Sequence, residues 1–254
     1  MKNATILAFA ISLATTGCLK EDPSLPFPVD PVVLTVPVEL MLVPEWNGAD
    51  FDKTNVYLSA ANERVLVQEV KFYLSGITTL GEDTSALLSQ AELFDLTDGP
   101  SSRSMRMPIG TFSDLRFGLG LPPELNQADI TEIDPFSPLG NNSGMYWTWN
   151  TMYRFLLFDG RFDTDAGGVG VPPFQFSLHT GRDACYRERT VPMPILAIQG
   201  DTVRITLNVD IARFFTDGNA VLELSQGAQS HGEVQSLPIA MELSDLAVQA
   251  INPQ

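Results

Sequence analysis

Alternation of apolar and polar residues along short segments is the feature that most constrains the fold of this chain. Side chains of a β-strand point alternately to its two faces, so a period of two predicts a strand with one buried face. This period recurs in five segments that are separated by Pro, Gly, Asn and Asp: 32–43, 64–80, 111–121, 174–179 and 201–210. Many short strands joined by turn residues are typical of all-β proteins, and we predict a mostly antiparallel β-sandwich.

The pattern also predicts two short helices and one β-bulge. Residues 122–130 begin with two prolines, which favour the first turn of a helix, and residues 211–215 are long enough for one or two turns. Within 64–80 the alternation changes phase between Gln68 and Glu69, as it does where an extra residue enters a strand.

The first 31 residues are expected to lie outside the folded domain. A positive start precedes an apolar run, 4–15, which is too short to span a bilayer and is followed by small residues and Cys18. This order resembles a bacterial lipoprotein signal, which is cleaved before a cysteine that then carries lipid. We therefore predict a signal peptide over 1–17, a proline-rich tether over 18–31 and one domain over 32–254. Cys18 would anchor that domain to a membrane of the cell envelope, on the periplasmic or the surface face of the outer membrane.

Charge and cysteine content exclude several classes of function. The net charge of −16 repels phosphate backbones, so we expect no nucleic-acid partner. With Cys18 lipidated, Cys185 has no partner for a disulfide or for a Cys-based zinc site. The sequence contains no phosphate-binding loop, no nucleophile elbow and only two histidines, so we do not expect an enzyme.

The aromatic segment 144–160, "GMYWTWNTMYRFLLFDG", is the strongest candidate for a functional site. Its odd positions are almost all apolar from Met145 onward, which predicts one strand with Trp147 and Trp149 on the same face, roughly 7 Å apart. Tyr153 and Phe155 would also face inward. The two indoles are interpreted either as core side chains or as a redox-active pair, because indole is the most easily oxidised apolar side chain.

Three other groups of residues could carry chemistry. His179 shares a predicted strand face with Gln175 and Ser177, either as a surface histidine or as a ligand for a soft metal. His231, in a polar stretch, is interpreted as a loop residue. The acidic segment 159–168 departs from the EF-hand pattern and is interpreted as an ordinary turn rather than a calcium loop.

Two of these segments together resemble a known family. Residues 144–160 followed by "FQFSLHTG" (174–181) are similar to the core of the MbnP-like proteins, which are periplasmic or lipid-anchored bacterial β proteins associated with copper. The resemblance spans roughly residues 36–217, and further segments agree in order: 70–81, 91–99, 110–126 and 203–215.

The resemblance implies a partner and a set of site residues. Family members work beside a dihaem cytochrome c peroxidase-like protein, which can oxidise a tryptophan to kynurenine, and the modified protein binds copper with histidine help. Carried over by position, Trp147 and Trp149 are the candidates for oxidation, and His179 is the candidate metal ligand. Since Cu(I) accepts thioether sulfur, Met145 and Met152 are the candidates for further ligands.

Three functions stay open on the sequence alone. The first is a non-catalytic, copper-associated partner protein of the MbnP-like kind. The second is a surface lipoprotein that binds a ligand or glycan through exposed Trp and Tyr side chains. The third is a purely structural β domain of the cell envelope.

Overall fold

Fifteen β-strands provide most of the regular structure in residues 33–147 and 152–254, the part of the chain that the computed structural model describes. The strands are β1 (Thr35–Trp46), β2 (Ala49–Asp50), β3 (Tyr57–Leu58), β4 (Arg64–Leu80), β5 (Ser85–Asp95), β6 (Ser101–Pro108), β7 (Gly110–Leu119), β8 (Tyr146–Trp147), β9 (Met152–Tyr153), β10 (Leu156–Asp163), β11 (Phe174–Thr180), β12 (Arg187–Ala197), β13 (Val203–Asp210), β14 (Gln229–His231) and β15 (Ile251–Pro253). The α-helices are α1 (Pro123–Asn126) and α2 (Leu237–Gln249). The predicted signal peptide, the tether and Cys18 lie outside the described residues.

The strands form two large sheets and one small hairpin. A five-stranded sheet has the order β15-β13-β1-β2, with β6 also paired to β1. An eight-stranded sheet has the order β12-β7-β4-β10-β11-β14, with β3 and β5 also paired to β4. Apart from the parallel pairs β1–β13 and β11–β14, the pairings between these described strands are antiparallel. The predicted mostly antiparallel β-sandwich is confirmed.

The main hydrophobic core is built from alternate side chains of the two large sheets. In β1 every second side chain is buried: Val36, Val38, Leu40 and Leu42. These side chains belong to one cluster with Val67 and Phe72 of β4 and Leu207 of β13. The period of two in the sequence therefore marks the inward face of each sheet.

A second, smaller core covers the outer face of the eight-stranded sheet. It contains Tyr73, whose β4 neighbours Phe72 and Leu74 face the main core, so β4 is buried on both faces. Tyr153 and Phe155 are completely buried, as predicted, but they lie in this second cluster and not between the two sheets. Met145 belongs to the same cluster, so the aromatic segment is part of this second core.

The helices were only partly predicted. The structure confirms a short helix after the Pro122–Pro123 pair and a 3₁₀ turn at Ile211–Phe214. It adds the 13-residue helix α2, which the sequence reading did not place. Ala240, Leu243 and Ala247 recur at helical spacing along α2 and are buried against the sandwich. Among the described helices, none is long and apolar enough to cross a membrane.

The β-bulge lies where the change of phase predicted it. Glu69 pairs with Asp159, and Val67 pairs with Gly160, so Gln68 is the extra residue in β4. The bulge lets Val65 and Val67 on one side and Val70 and Phe72 on the other side all face the core.

The predicted single strand over 144–160 is wrong. Trp147 of β8 pairs antiparallel with Met152 of β9, so the chain reverses direction between them, and β10 begins only at Leu156. Met152 has a φ of 68°, a left-handed conformation that no regular strand contains. The argument that Trp147 and Trp149 share one strand face therefore fails, and Trp149 itself lies outside the described residues.

Candidate functional site

Three neighbouring strands bring two histidines together near the edge of the eight-stranded sheet. Antiparallel pairing of β10 with β11 places Asp159 opposite Ser177. Parallel pairing of β11 with β14 places His179 opposite His231. Because side chains two residues apart share a strand face, Ser177 and His179 point to the same side. The imidazole ring centroids of the two histidines are 4.9 Å apart.

Ser177 and Asp159 link the two imidazoles. The Ser177 hydroxyl oxygen is 2.9 Å from Nε2 of His231 and 3.2 Å from Nε2 of His179. The Asp159 carboxylate oxygen Oδ1 is 2.9 Å from Nε2 of His179. Both Nε2 atoms therefore lie within hydrogen-bond distance of the Ser177 hydroxyl group, and Nε2 of His179 also contacts the Asp159 carboxylate.

The other nitrogen of His179 has a different environment. His179 is 6% exposed, and its Nδ1 atom is buried with no hydrogen-bond partner among the described residues. An ionised carboxylate only accepts hydrogen bonds, so the bond to Asp159 fixes the ring proton on Nε2. In the neutral imidazole Nδ1 then carries a free lone pair, which is the form in which histidine binds a metal.

Trp147 lies over this histidine pair. Its ring centroid is 5.3 Å from that of His179 and 6.0 Å from that of His231. On the indole, the guanidinium carbon of Arg154 lies 4.9 Å from the ring centroid, within the range of a cation–π contact. Trp147 is half-buried, so its indole is accessible from one side.

Burial and neighbouring charges set the protonation of the site. Burial of Asp159 opposes its ionisation, but hydrogen bonds from His179 and Ser177 outweigh burial and lower the pKa of the carboxyl. Burial, followed by the neighbouring His179, lowers the pKa of His231. Burial also lowers the pKa of Arg154, and the charges of Asp159 and Glu69 oppose that effect. The site therefore favours an ionised Asp159 and a neutral His231.

A polar pocket of about 490 Å³ lies beside His231. Asp159, Ser177 and the bulge residues Gln68 and Glu69 also line it. Small polar species or ions therefore have a route to the imidazole of His231.

The two predicted methionine ligands have unequal positions. Met145 is completely buried in the second hydrophobic core. Met152 is 41% exposed and is the cross-strand partner of Trp147. Met152 is thus the better placed thioether of the two, and the metal role of both stays a prediction.

No preformed metal centre is present in the described ranges. They contain no group of three or more His, Cys, Asp and Glu side chains placed to hold one ion. In the acidic segment, Asp163 forms an ion pair with Arg64, and Asp165 accepts a hydrogen bond from the backbone of Gly167. These bonds belong to an ordinary turn, as the sequence indicated. Cys185 is a buried free thiol whose pKa is raised by burial.

His231 is the functional candidate that the sequence reading missed. The stretch that contains it was interpreted as a loop, but Gln229–His231 is a short strand in parallel register with β11. Three residues are too few to display a period of two, and parallel pairing across fifty residues leaves no local pattern. The available signal was the low number of histidines, since the sequence contains two, His179 and His231.

The chain is similar to a known protein family and to a solved structure. The MbnP family model matches residues 35–234, which is most of the chain. Among solved structures, MbnP from Methylosinus trichosporium is similar, with a TM-score of 0.44 and 14% sequence identity over 80% of this chain and 82% of that chain. No curated protein matches the sequence.

Proposed function

The chain belongs to the MbnP family, and on this premise we propose that it is a copper-associated, non-catalytic protein of the cell envelope. In this proposal His179 and His231 bind Cu(I), and Trp147 is the neighbouring residue that an oxidising partner modifies. The partner is a dihaem cytochrome c peroxidase-like protein.

One observation carries this proposal. A buried imidazole presents an unpaired Nδ1 atom while a carboxylate holds its Nε2 atom. Histidine ligands of metals almost always donate their second ring N–H to a carboxylate, a carbonyl or water, which fixes the tautomer and orients the ring. Asp159 and His179 have this relationship before any metal is added. A histidine that only packed in the core would have no reason to keep a buried lone pair without a partner.

The residues present fit a copper ion better than the other common metals. Imidazole nitrogen suits copper, and thioether sulfur selects Cu(I) in particular. A structural zinc site takes four protein ligands, which the described residues do not bring together. Copper would be cargo held by His179 and His231, with Met152 as the candidate third ligand.

Trp147 is the described tryptophan that stands at this site. In this proposal two molecules of hydrogen peroxide oxidise the C2–C3 bond of the indole to N-formylkynurenine and are reduced to water. One water molecule then hydrolyses the formyl group, which releases C2 as formic acid and leaves kynurenine. The product carries a ketone and an aromatic amine in place of the indole. Either group would lie close to the imidazoles, because the indole is 5.3 Å from the ring of His179. Trp149 stays a second candidate for the same modification.

The proposed location is the outer membrane, through a lipid on Cys18. Intact-mass analysis of protein expressed in its native host is expected to give a lipid-sized mass increase on an N-terminal Cys18. A Cys18→Ser variant that stays bound to membranes would contradict the anchor.

A titration of the metal-free protein with Cu(I), in competition with a coloured chelator, tests the copper site. We expect His179→Ala to weaken binding by more than about 100-fold, since loss of a residue behind a ligand already costs 10–100-fold. His231→Ala is expected to weaken binding as well. Met107→Leu, a change of a completely buried core methionine, is the matched control and is expected to bind as the wild type does. Equal affinities for the wild type and His179→Ala would contradict the proposal.

Peptide mass spectrometry tests the role of Trp147. Protein purified from its own host is expected to carry about 4 Da of added mass on Trp147 or Trp149, because two oxygen atoms are gained and one C=O unit is lost. The added mass is expected to disappear when the gene of the cytochrome is deleted. Unmodified tryptophans in both strains would remove the oxidation step and leave the copper site to be judged by the titration.

Ligand or glycan binding through exposed aromatic residues is less well supported. Every tryptophan and tyrosine in the described ranges is buried or half-buried, and Trp46, Tyr73 and Tyr153 are buried outright. A sugar-binding platform needs a broad, open aromatic face, and a half-buried ring offers less of one than an exposed ring.

A further inference from the structure

Phe136 is an exposed aromatic residue in a loop that is otherwise well packed. Its side chain is 86% exposed. Nearby in the loop, Ile130 and Leu139 pack against the second hydrophobic core. An aromatic ring offers a large apolar area at low cost in side-chain entropy, and such rings dominate the binding energy of protein interfaces.

Hydrogen bonds hold the loop in one conformation around Phe136. The backbone N–H of Phe136 donates to the Asp134 carboxylate at 3.0 Å. The backbone N–H of Ser137 donates to the Asp134 carbonyl, and that of Asn142 donates to the Pro135 carbonyl. A residue presented on a rigid loop loses little entropy on binding, so its exposed ring is preorganised for a partner.

The same loop is fastened to the hairpin that carries Trp147. The Tyr73 hydroxyl donates to the carbonyl of Pro138 at 2.8 Å, and the Tyr153 hydroxyl donates to the carbonyl of Leu139 at 2.6 Å. Tyr153 is the cross-strand partner of Tyr146, the residue before Trp147. A protein that covers Phe136 would therefore lie beside the β8–β9 hairpin.

The sequence on both sides of Phe136 carries charge of a single sign. From residue 117 to residue 153 the sequence contains no Lys, Arg or His. It contains four acidic residues, and all four are exposed: Glu124, Asp129, Glu132 and Asp134. A partner surface that complements this segment must be basic around an apolar depression.

We propose that the Phe136 surface, defined as Phe136 together with Glu124, Asp129, Glu132 and Asp134, docks a protein that has an apolar socket rimmed by Lys and Arg. This inference rests on the proposed function, because the occupant it names is the dihaem cytochrome that acts on Trp147. Phe136 fills the socket, and the four carboxylates steer the approach of the basic rim.

Surface plasmon resonance with the purified cytochrome and the full mature chain tests the docking. We expect Phe136→Ala to weaken binding by about tenfold or more, the usual effect of truncating an aromatic anchor. Val169→Ala is the matched control, because Val169 is 93% exposed on a different loop, and it is expected to bind as the wild type does. Both substitutions alter exposed side chains and are expected to leave the fold intact.

Variants that remove acidic charges test whether the carboxylates accelerate association, separately from the role of Phe136 in holding the complex together. The double variant Glu124→Gln/Glu132→Gln is expected to associate more slowly and with a weaker dependence on salt, while its dissociation rate changes little. Glu82→Gln/Asp83→Asn, two exposed acidic residues in another loop, is the matched control.

The docking experiment and the copper titration test the two proposals separately. Binding of Phe136→Ala with wild-type affinity, or no binding of the cytochrome to the wild type, overturns the Phe136 surface. The copper titration of Phe136→Ala is expected to match that of the wild type, so the two proposals fail separately. If both histidine variants bind copper as the wild type does while docking depends on Phe136, the copper site is contradicted and the Phe136 surface is supported.

Discussion

The half-buried Asp159 and the buried His179 form a pair in which Oδ1 of the carboxylate lies 2.9 Å from Nε2 of the imidazole. The pair fixes which ring nitrogen carries the proton, and it leaves Nδ1 as the one available for a ligand. The indole of Trp147 lies above the same ring. In the proposed function these residues hold the copper ion.

Asp159→Asn is therefore expected to weaken Cu(I) binding by about 10–100-fold, the usual cost of losing a group behind a metal-binding histidine. The amide has the shape of the carboxylate but can donate a hydrogen bond to Nε2, which would move the ring proton to Nδ1. The Cu(I) titration measures the change. Asp163→Asn alters a carboxylate at the end of the same strand that pairs with Arg64 instead, and it serves as the control. Equal affinities for the wild type and Asp159→Asn would exclude an orienting role for the carboxylate.

Arg154 is expected to contribute little to stability despite its contact with Trp147. A cation–π contact is worth about 0.5–2 kcal/mol. Against this, Nε of Arg154 is buried without a hydrogen-bond partner among the described residues, and such a group costs about 1–3 kcal/mol. Arg154→Met keeps the volume of the side chain and removes both effects. Urea unfolding is expected to give a free energy of unfolding equal to that of the wild type or higher; a decrease of more than about 2 kcal/mol would show that the stacked guanidinium dominates.

The metal-free protein is expected to lose stability as the pH falls below about 6.5 because of His231. Burial and His179 lower the pKa of His231 in the folded state, so the unfolded chain takes up this proton first. In the interval between the two pKa values the unfolded state binds more protons, and the free energy of unfolding decreases with decreasing pH. The lowered pKa of Asp159 affects stability at lower pH. The stabilisation is fully present above the ordinary pKa of 3.8, and it is lost as the pH falls through the pKa of Asp159 in the folded state.

Chemical unfolding at several pH values between 8 and 5, for the wild type and His231→Gln, measures this contribution. The slope of the wild type in this interval is expected to be steeper than that of the variant. Parallel slopes would mean that His231 titrates alike in the folded and unfolded chains.

Strands β1, β7 and β13 could be predicted from the sequence because each has one buried face, and a buried face imposes a period of two. The bulge at Gln68 was predictable for the same reason, since a single extra residue has to shift the phase. The shared face of Ser177 and His179 likewise follows from parity along one strand.

The rest of the site depended on contacts that leave no local pattern. The antiparallel pairing of Trp147 with Met152 was hidden because the sequence between them contains aromatic and β-branched residues, which are typical of strands. Helix α2 was not predicted, although Pro238 lies in its first turn and Ala240, Leu243 and Ala247 recur at helical spacing. His231 reaches His179 only through a parallel pairing of three residues. Residues that meet across the fold, rather than along one strand, could not be found from periodicity.

The most direct measurement of the copper site is the proton–nitrogen correlation spectrum of the histidine rings in nitrogen-labelled protein, with and without Cu(I). The account predicts that the Nδ1 resonance of His179 shifts on metal addition, while its Nε2 atom keeps the proton that it donates to Asp159. Unchanged His179 resonances, or loss of the Nε2 proton with Nδ1 unaffected, would contradict it.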